Sequence, residues 1–156
     1  MALSGIRATW AGEQRFDVGR PGGPVAHLDG KGVVGPGYVD TMLSALAGCF
    51  GVDVVEILAK RRTPVERLTI DVTGLRIDET PRRVVRIEIQ VSIEGKGIER
   101  SQAERAIDLS LSKYCSVRSS LDPAIPISFT LTLNGAAGPS IAVGSIALNS
   151  QAAAKD

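Results

Sequence analysis

Residues 40–62 carry the strongest helical pattern in the chain and constrain its fold more than any other segment. Asp40 is placed to cap the start, Lys60, Arg61 and Arg62 fill the last turn where a helix favours cations, and Pro64 stands just past the end. The first three turns are nearly apolar all round. Within them sit Ser44, Ala45, Ala47, Gly48, Cys49 and Gly51, whose small side chains let other backbone approach while the glycines weaken the helix. Something must therefore pack tightly against this segment. Its apolar run, Met42 to Ala59, is interrupted by Ser44, Asp53 and Glu56, which makes it too polar to span lipid.

Short strands precede the helix and long ones follow it. Ile6, Ala8 and Trp10 alternate with Arg7 and Thr9, then Arg15 to Val18 returns after the turn at Ala11-Gly12, which reads as a hairpin. Val25 to Leu28 is a third candidate strand, closed by Asp29-Gly30. Beyond the helix, Leu68, Ile70, Val72, Leu75 and Ile77 form one alternating run, and Val85, Ile87, Ile89, Val91 and Ile93 form another. The turn cluster Asp78-Glu79-Thr80-Pro81 between them predicts an antiparallel pair with one face to be covered by a helix. That helix is predicted from Ser101, with Glu104 closing a capping box. Its core stripe is Ala103, Ala106, Ile107, Ser110, Leu111 and Tyr114, and it ends near Cys115. Ile127, Phe129, Leu131 and Leu133 make a last strand. The order predicts an α+β domain over residues 1–134, and the Ala-, Gly- and Ser-rich residues 135–156 read as a tail, with Ile141 to Leu148 able to dock as an extended piece.

Composition removes several function classes. Eighteen Lys and Arg against 17 Asp and Glu leave a net charge of +1, without the clustered basic excess that nucleic acid requires. The N-terminal MALSGIRATWAG has no apolar stretch of the signal-peptide kind, which predicts a soluble cytoplasmic protein without a membrane partner. The single His27 rules out a zinc cluster and leaves a Ser-His-Asp or Cys-His arrangement only if that one residue serves; it reads as an exposed strand histidine. Gly30 to Gly35 match GxGxxG, but Pro36-Gly37 separate the motif from the helix, so it reads as a loop.

Two cysteines remain, Cys49 and Cys115, and a reducing cytosol disfavours a permanent bridge between them. At about 100° per residue, Cys49 shares a helical stripe with Ala45, Asp53 and Glu56, at the border of apolar packing and a polar cleft. Free cysteine is also a common buried hydrophobe, so pattern alone leaves packing and chemistry both open. Acidic neighbours raise a thiol pKa, so reactivity here requires a nearby cation, with Arg15 and Arg7 the candidates. Cys115 stands where the second helix ends and residues 116–121 begin a new turn; it is either a filler or a thiol facing backbone N–H groups.

The stretches LSALAGCFGVDVVEILAKRR (43–62) and AIDLSLSKYCSV (106–117) resemble the OsmC family of organic hydroperoxide and stress-linked redox proteins, in particular its YhfA-like branch, over about residues 5–134. The resemblance implies an intertwined homodimer with a small antiparallel sheet, a long central helix and a second antiparallel sheet packed with helices. It also implies a thiol-dependent peroxidase in which Cys49 attacks an organic hydroperoxide and becomes a sulfenic acid, Cys115 resolves it as a disulfide, and Arg15 stabilises the thiolate. No metal or organic cofactor is implied, and an external dithiol serves as reductant. In the family's hydroperoxide reductases a Glu ten residues before the first cysteine holds the arginine. Here that position is Val39, with Asp40 one residue later, so either Asp40 substitutes with altered geometry or this branch lacks the clamp. The alternative is a non-peroxidatic member that keeps the fold as a stress-linked binding or scaffold protein.

Overall fold

The structure is a computed structural model that describes residues 3–146. Strands β1 (Arg7–Trp10), β2 (Arg15–Gly19) and β3 (Val25–Asp29) are followed by helix α1 (Tyr38–Lys60), β4 (Arg67–Arg76) and β5 (Val84–Glu94). Helix α2 (Arg100–Leu109), a π turn (Ser110–Tyr114), α3 (Ser116–Ser120), β6 (Ile127–Leu133) and β7 (Ala136–Ala142) complete the chain. These elements fall into two compact units that divide within α1, after Ser44.

In the first unit β1, β2 and β3 form an antiparallel sheet in sequence order: the predicted hairpin is present, and the third candidate strand pairs with β2. Among the described residues its one buried side chain is that of Asp29, whose carboxylate accepts the backbone N–H groups of Lys31, Val33 and Val34 at 2.9, 3.1 and 3.2 Å. The Lys31 N–H foremost, those of Val34 and Val33, and the Arg15 charge outweigh burial and hold this carboxyl below the usual carboxylate range. The GxGxxG match is accounted for here. Gly32 sits at φ +67°, and a Cβ at Gly35 would collide with the His27 carbonyl oxygen, so the glycines serve a turn and a close backbone approach. Helix α1 starts two residues earlier than predicted. Asp40 lies in its first turn rather than at the cap, and its Oδ2 accepts the Gly37 N–H at 3.2 Å, in the manner of the back-reaching half of a capping box.

In the second unit the sheet order is β4-β5-β6-β7. The β4–β5 pair is antiparallel as predicted, but β6 pairs with β5 in parallel, from Ile87 opposite Ile127 to Ile93 opposite Leu133. The sheet is therefore mixed, not wholly antiparallel: α2 lies between β5 and β6 in sequence and returns the chain to the end where β5 began. Leu46, Phe50, Val54 and Leu58 of α1, Ala103, Ala106 and Ile107 of α2, and the inward residues Ile87, Ile89, Val91, Phe129 and Leu131 form the core. Gly51 answers the expectation of tight packing, since a Cβ there would lie 2.9 Å from Ile70 Cδ1 of β4. By length and mean hydropathy (1.8) α1 also matches a membrane span, yet Leu46, Phe50, Val54 and Leu58 on it are fully buried in this core.

Two further expectations are corrected. Helix α2 begins at Arg100 with Glu99 as its uncapped start, and Glu104 pairs with Arg100 at 3.3 Å rather than closing a box on Ser101. Residues 136–142, read as the beginning of a tail, are strand β7, paired antiparallel with β6. Backbone pairing holds this small-sided strand, helped by the Arg100 guanidinium, which donates to the carbonyls of Leu131 and Ala136 at 3.1 and 2.6 Å. Residues 147–156 of the predicted tail lie outside the described residues.

Candidate active site

Cys49 lies on α1 between the fully buried Leu46 and Phe50 and is itself half-buried. Cys115, only 1% exposed, follows the π turn and stands at the N-cap of α3. The two thiols are near enough for Cys49 to raise the pKa of Cys115, although the residues are 66 positions apart in sequence (115 − 49). Both are free thiols.

The local fold explains how Cys115 reaches α1. The N–H of Cys115 donates to the Ser110 carbonyl at 2.8 Å, five residues back instead of the four of an α-helix. That extra residue re-aims the chain before α3, which then starts with the Arg118 N–H donating to Cys115 Sγ at 3.3 Å. Burial pushes the Cys115 thiol up to about 11, against the Arg118 N–H, and the neighbouring Cys49 thiol adds to the rise as hydrogen-bond partner and as charge. Cys115 thus keeps its proton where an ordinary thiol begins to lose it. The expectation that a new helix start favours a Cys115 thiolate names a real contact, but desolvation outweighs it.

Asp53, one turn beyond Cys49, finds its polar partner in Ser110, whose Oγ donates to Asp53 Oδ2 at 2.5 Å. Sequence reasoning put Asp53 at a polar border and Ser110 on the core stripe without joining them. The available signal was a serine among aliphatic stripe residues, since a buried hydroxyl needs an acceptor. Arg118 was missed as well. Its guanidinium donates to the carbonyls of Asp122, Pro123 and Ile125 at 3.3–3.4 Å and shapes the segment after α3.

Arg15 and Asp40 belong to the first unit. Arg15 pairs with Asp29 in strand register and lines a cleft of about 300 Å³ with Asp17, His27 and Val34, and its Nε has no hydrogen-bond partner among the described residues. No ion pair joins Arg15 to Asp40 among the described residues; the Asp40 carboxylate is occupied by the Gly37 N–H, and the acid whose charge Arg15 meets is Asp29. Arg7 lies on β1. His27 is exposed and pairs with Asp17 at 2.7 Å. Among the described residues no group of three His, Cys, Asp or Glu is arranged to hold a metal.

A second feature of the second unit borders α1. Ala47, Gly48, Val52 and Val55 with Leu68 and Ile70 of β4 line an apolar groove of about 580 Å³, in which Val52 is 60% exposed.

The chain matches the family model described as OsmC-like protein over residues 30–130. Protein YhfA of Escherichia coli K12 is 36% identical over 101 residues, which is 64% of this chain and 75% of that protein. Among solved structures, a hypothetical protein from Aquifex aeolicus is 28% identical with a TM-score of 0.76, covering 86% of this chain and 98% of that one. An OsmC-like protein from Mycoplasma pneumoniae is 20% identical with a TM-score of 0.72, covering 85% and 97%. An organic hydroperoxide resistance protein OsmC from Legionella pneumophila, 14% identical with a TM-score of 0.60, covers 85% and 99% and shares the fold. With the family model spanning well over half its length and the YhfA match agreeing, this chain belongs to the OsmC-like protein family.

Proposed function

We propose that the protein is a soluble, cytoplasmic thiol-dependent peroxidase that reduces organic hydroperoxides through a two-cysteine cycle. The observation that carries this reading is the proximity of the Cys49 and Cys115 thiols, close enough for one to shift the titration of the other. The Cys49 thiolate attacks the distal peroxide oxygen, the O–O bond breaks, and an alcohol leaves with a proton while Cys49 becomes a sulfenic acid. Cys115, protonated at rest, then passes its proton to the sulfenic oxygen as its sulfur attacks the Cys49 sulfur, so the S–S bond forms while the S–O bond breaks and water departs. An external dithiol reduces the resulting disulfide, and no metal or organic cofactor takes part. Arg15 takes the thiolate-stabilising role that the family gives its early-hairpin arginine; its Nε has no hydrogen-bond partner among the described residues. The hydroperoxide resistance named for the Legionella protein supports the substrate class. A second copy of the chain covers the apolar groove on α1 to give the homodimer.

Purified protein with a dithiol is predicted to consume cumene hydroperoxide, and Cys49→Ser to reduce turnover by at least about a thousandfold, in line with loss of a covalent nucleophile. Turnover unchanged in Cys49→Ser would end this reading. One observation favours the binding or scaffold alternative: the Asp40 carboxylate accepts the Gly37 N–H at the start of its own helix and pairs with no arginine among the described residues. That alternative predicts free thiols after exposure to hydroperoxide.

A further inference from the structure

We infer that Asp53 and Ser110 form a positioning clamp that holds the Cys115 backbone against the Cys49 helix and thereby sets how readily the two sulfurs join. This inference rests on the two-cysteine reading above. Ser110 is fully buried and does two things at once. Its hydroxyl donates to Asp53 Oδ2 at 2.5 Å, with the Phe50 carbonyl a weaker alternative acceptor at 3.4 Å, and its own carbonyl accepts the Cys115 N–H at 2.8 Å. A path therefore runs from α1, one turn beyond Cys49, through a single residue to the amide of Cys115, without involving either sulfur.

The π turn gives this path its importance. A five-residue hydrogen-bond step has poorer intrinsic geometry than an α-helical one and persists where its surroundings hold it. Ser110 opens that turn and Cys115 closes it, so a bond fixing Ser110 to α1 fixes both ends of the segment relative to Cys49. A short O–H to carboxylate bond is among the stronger hydrogen bonds available, and full burial of Ser110 leaves its hydroxyl no water to turn to. Packing alone asks for no hydroxyl: Ala103 and Ala106 on the same stripe of α2 are buried without one. In the proposed cycle the clamp favours attack of Cys115 on the Cys49 sulfenic acid, with loss of water, over oxidation of that sulfenic acid to sulfinic acid by a second hydroperoxide molecule.

The test is the effective concentration of Cys115 toward Cys49, measured for the full chain in a buffer of reduced and oxidised glutathione, acid-quenched and read by mass spectrometry. Ser110→Ala and Asp53→Ala are predicted to lower it about tenfold, the loss of one charge-assisted hydrogen bond. Asp53→Asn, whose side-chain oxygen still accepts from Ser110, is predicted to stay within about twofold of wild type. A merely structural role would lower the melting temperature of the reduced protein and leave the effective concentration unmoved. Equal values in wild type, Ser110→Ala and Asp53→Ala would overturn the clamp, and if Ser110→Ala fails to fold, the two Asp53 variants decide. The glutathione equilibrium uses no peroxide. A normal equilibrium with thiols inert to hydroperoxide would instead strike the peroxidase reading and leave the positioning measurement intact.

Discussion

From Leu46 onward the chain buries a continuous set of aliphatic and aromatic side chains, whereas no apolar side chain before it is buried among the described residues. In the first unit Ile6, Trp10 and Val33 are 70%, 65% and 78% exposed, and the side chain that is buried is a carboxylate. The second unit is held by area removed from water, at about 25 cal/mol per Å². The first is held by directed polar contacts: Asp29 in its ring of N–H groups, Tyr38 Oη donating to the Gln14 carbonyl at 2.6 Å, and Trp10 Nε1 donating to the Glu13 carbonyl at 3.0 Å. A three-stranded sheet with its apolar residues in water is a surface that a partner would cover. The difference teaches where each kind of residue belongs in the account. The unit with the core carries the thiols, and the unit without one carries Arg15.

Core truncation should produce the largest contrast. Phe50→Ala, at a fully buried position next to Cys49, is predicted to destabilise the protein by about 3–5 kcal/mol in denaturant titrations. Trp10→Ala, at an exposed position, should cost less than about 1 kcal/mol at concentrations where the chain is monomeric. Equal losses would erase the distinction between the units. If a second copy covers the first unit, Trp10→Ala should also weaken self-association in sedimentation experiments by about tenfold or more, the loss of an aromatic anchor.

A smaller effect concerns pH. Cys115 titrates near 11 in the folded chain against 9.0 for an ordinary thiol, so the folded state binds its proton more tightly. This contribution to stability is complete below pH 9 and is lost as pH rises toward 11. Wild type should therefore lose stability over that window more steeply than Cys115→Ser, and a parallel pair of curves would contradict the shift. At neutral pH the half-buried Cys49 should react with iodoacetamide before the buried Cys115. Smallest is the acid end. Asp29 is held below 3.8, so its contribution is present above that value and fades as pH falls through the lower folded value, read as faster amide exchange at Lys31, Val33 and Val34.

Much of the fold was legible as periodicity. The alternation of β4 and β5 and the apolar run of α1 identify their elements because burial imposes periods of two and 3.6, while the short strands β1 to β3 show through their alternation and turn residues. Strand direction leaves no such mark, and the parallel β5–β6 pair follows only from the helix that separates them. Strand β7 escaped because Ala136–Ala142 has small side chains and is held by main-chain pairing and by Arg100, for which Gly138 leaves room. In the site, each cysteine could be placed on its element, but their meeting depends on one extra residue in the turn from Ser110 to Tyr114, and a π turn has no sequence period of its own. The Asp53–Ser110 bond was half visible, as a buried hydroxyl in search of an acceptor. Asp40 was legible as a helix-start residue and was displaced only in its position within the first turn.

The central claim, that the Cys49 and Cys115 sulfurs form one redox pair, is tested most directly by the intact mass and peptide map of the reduced protein after one equivalent of cumene hydroperoxide. The account predicts loss of two hydrogens and a Cys49–Cys115 cross-linked peptide. Unchanged thiols, or oxygen added to Cys49 with Cys115 still free, would contradict it.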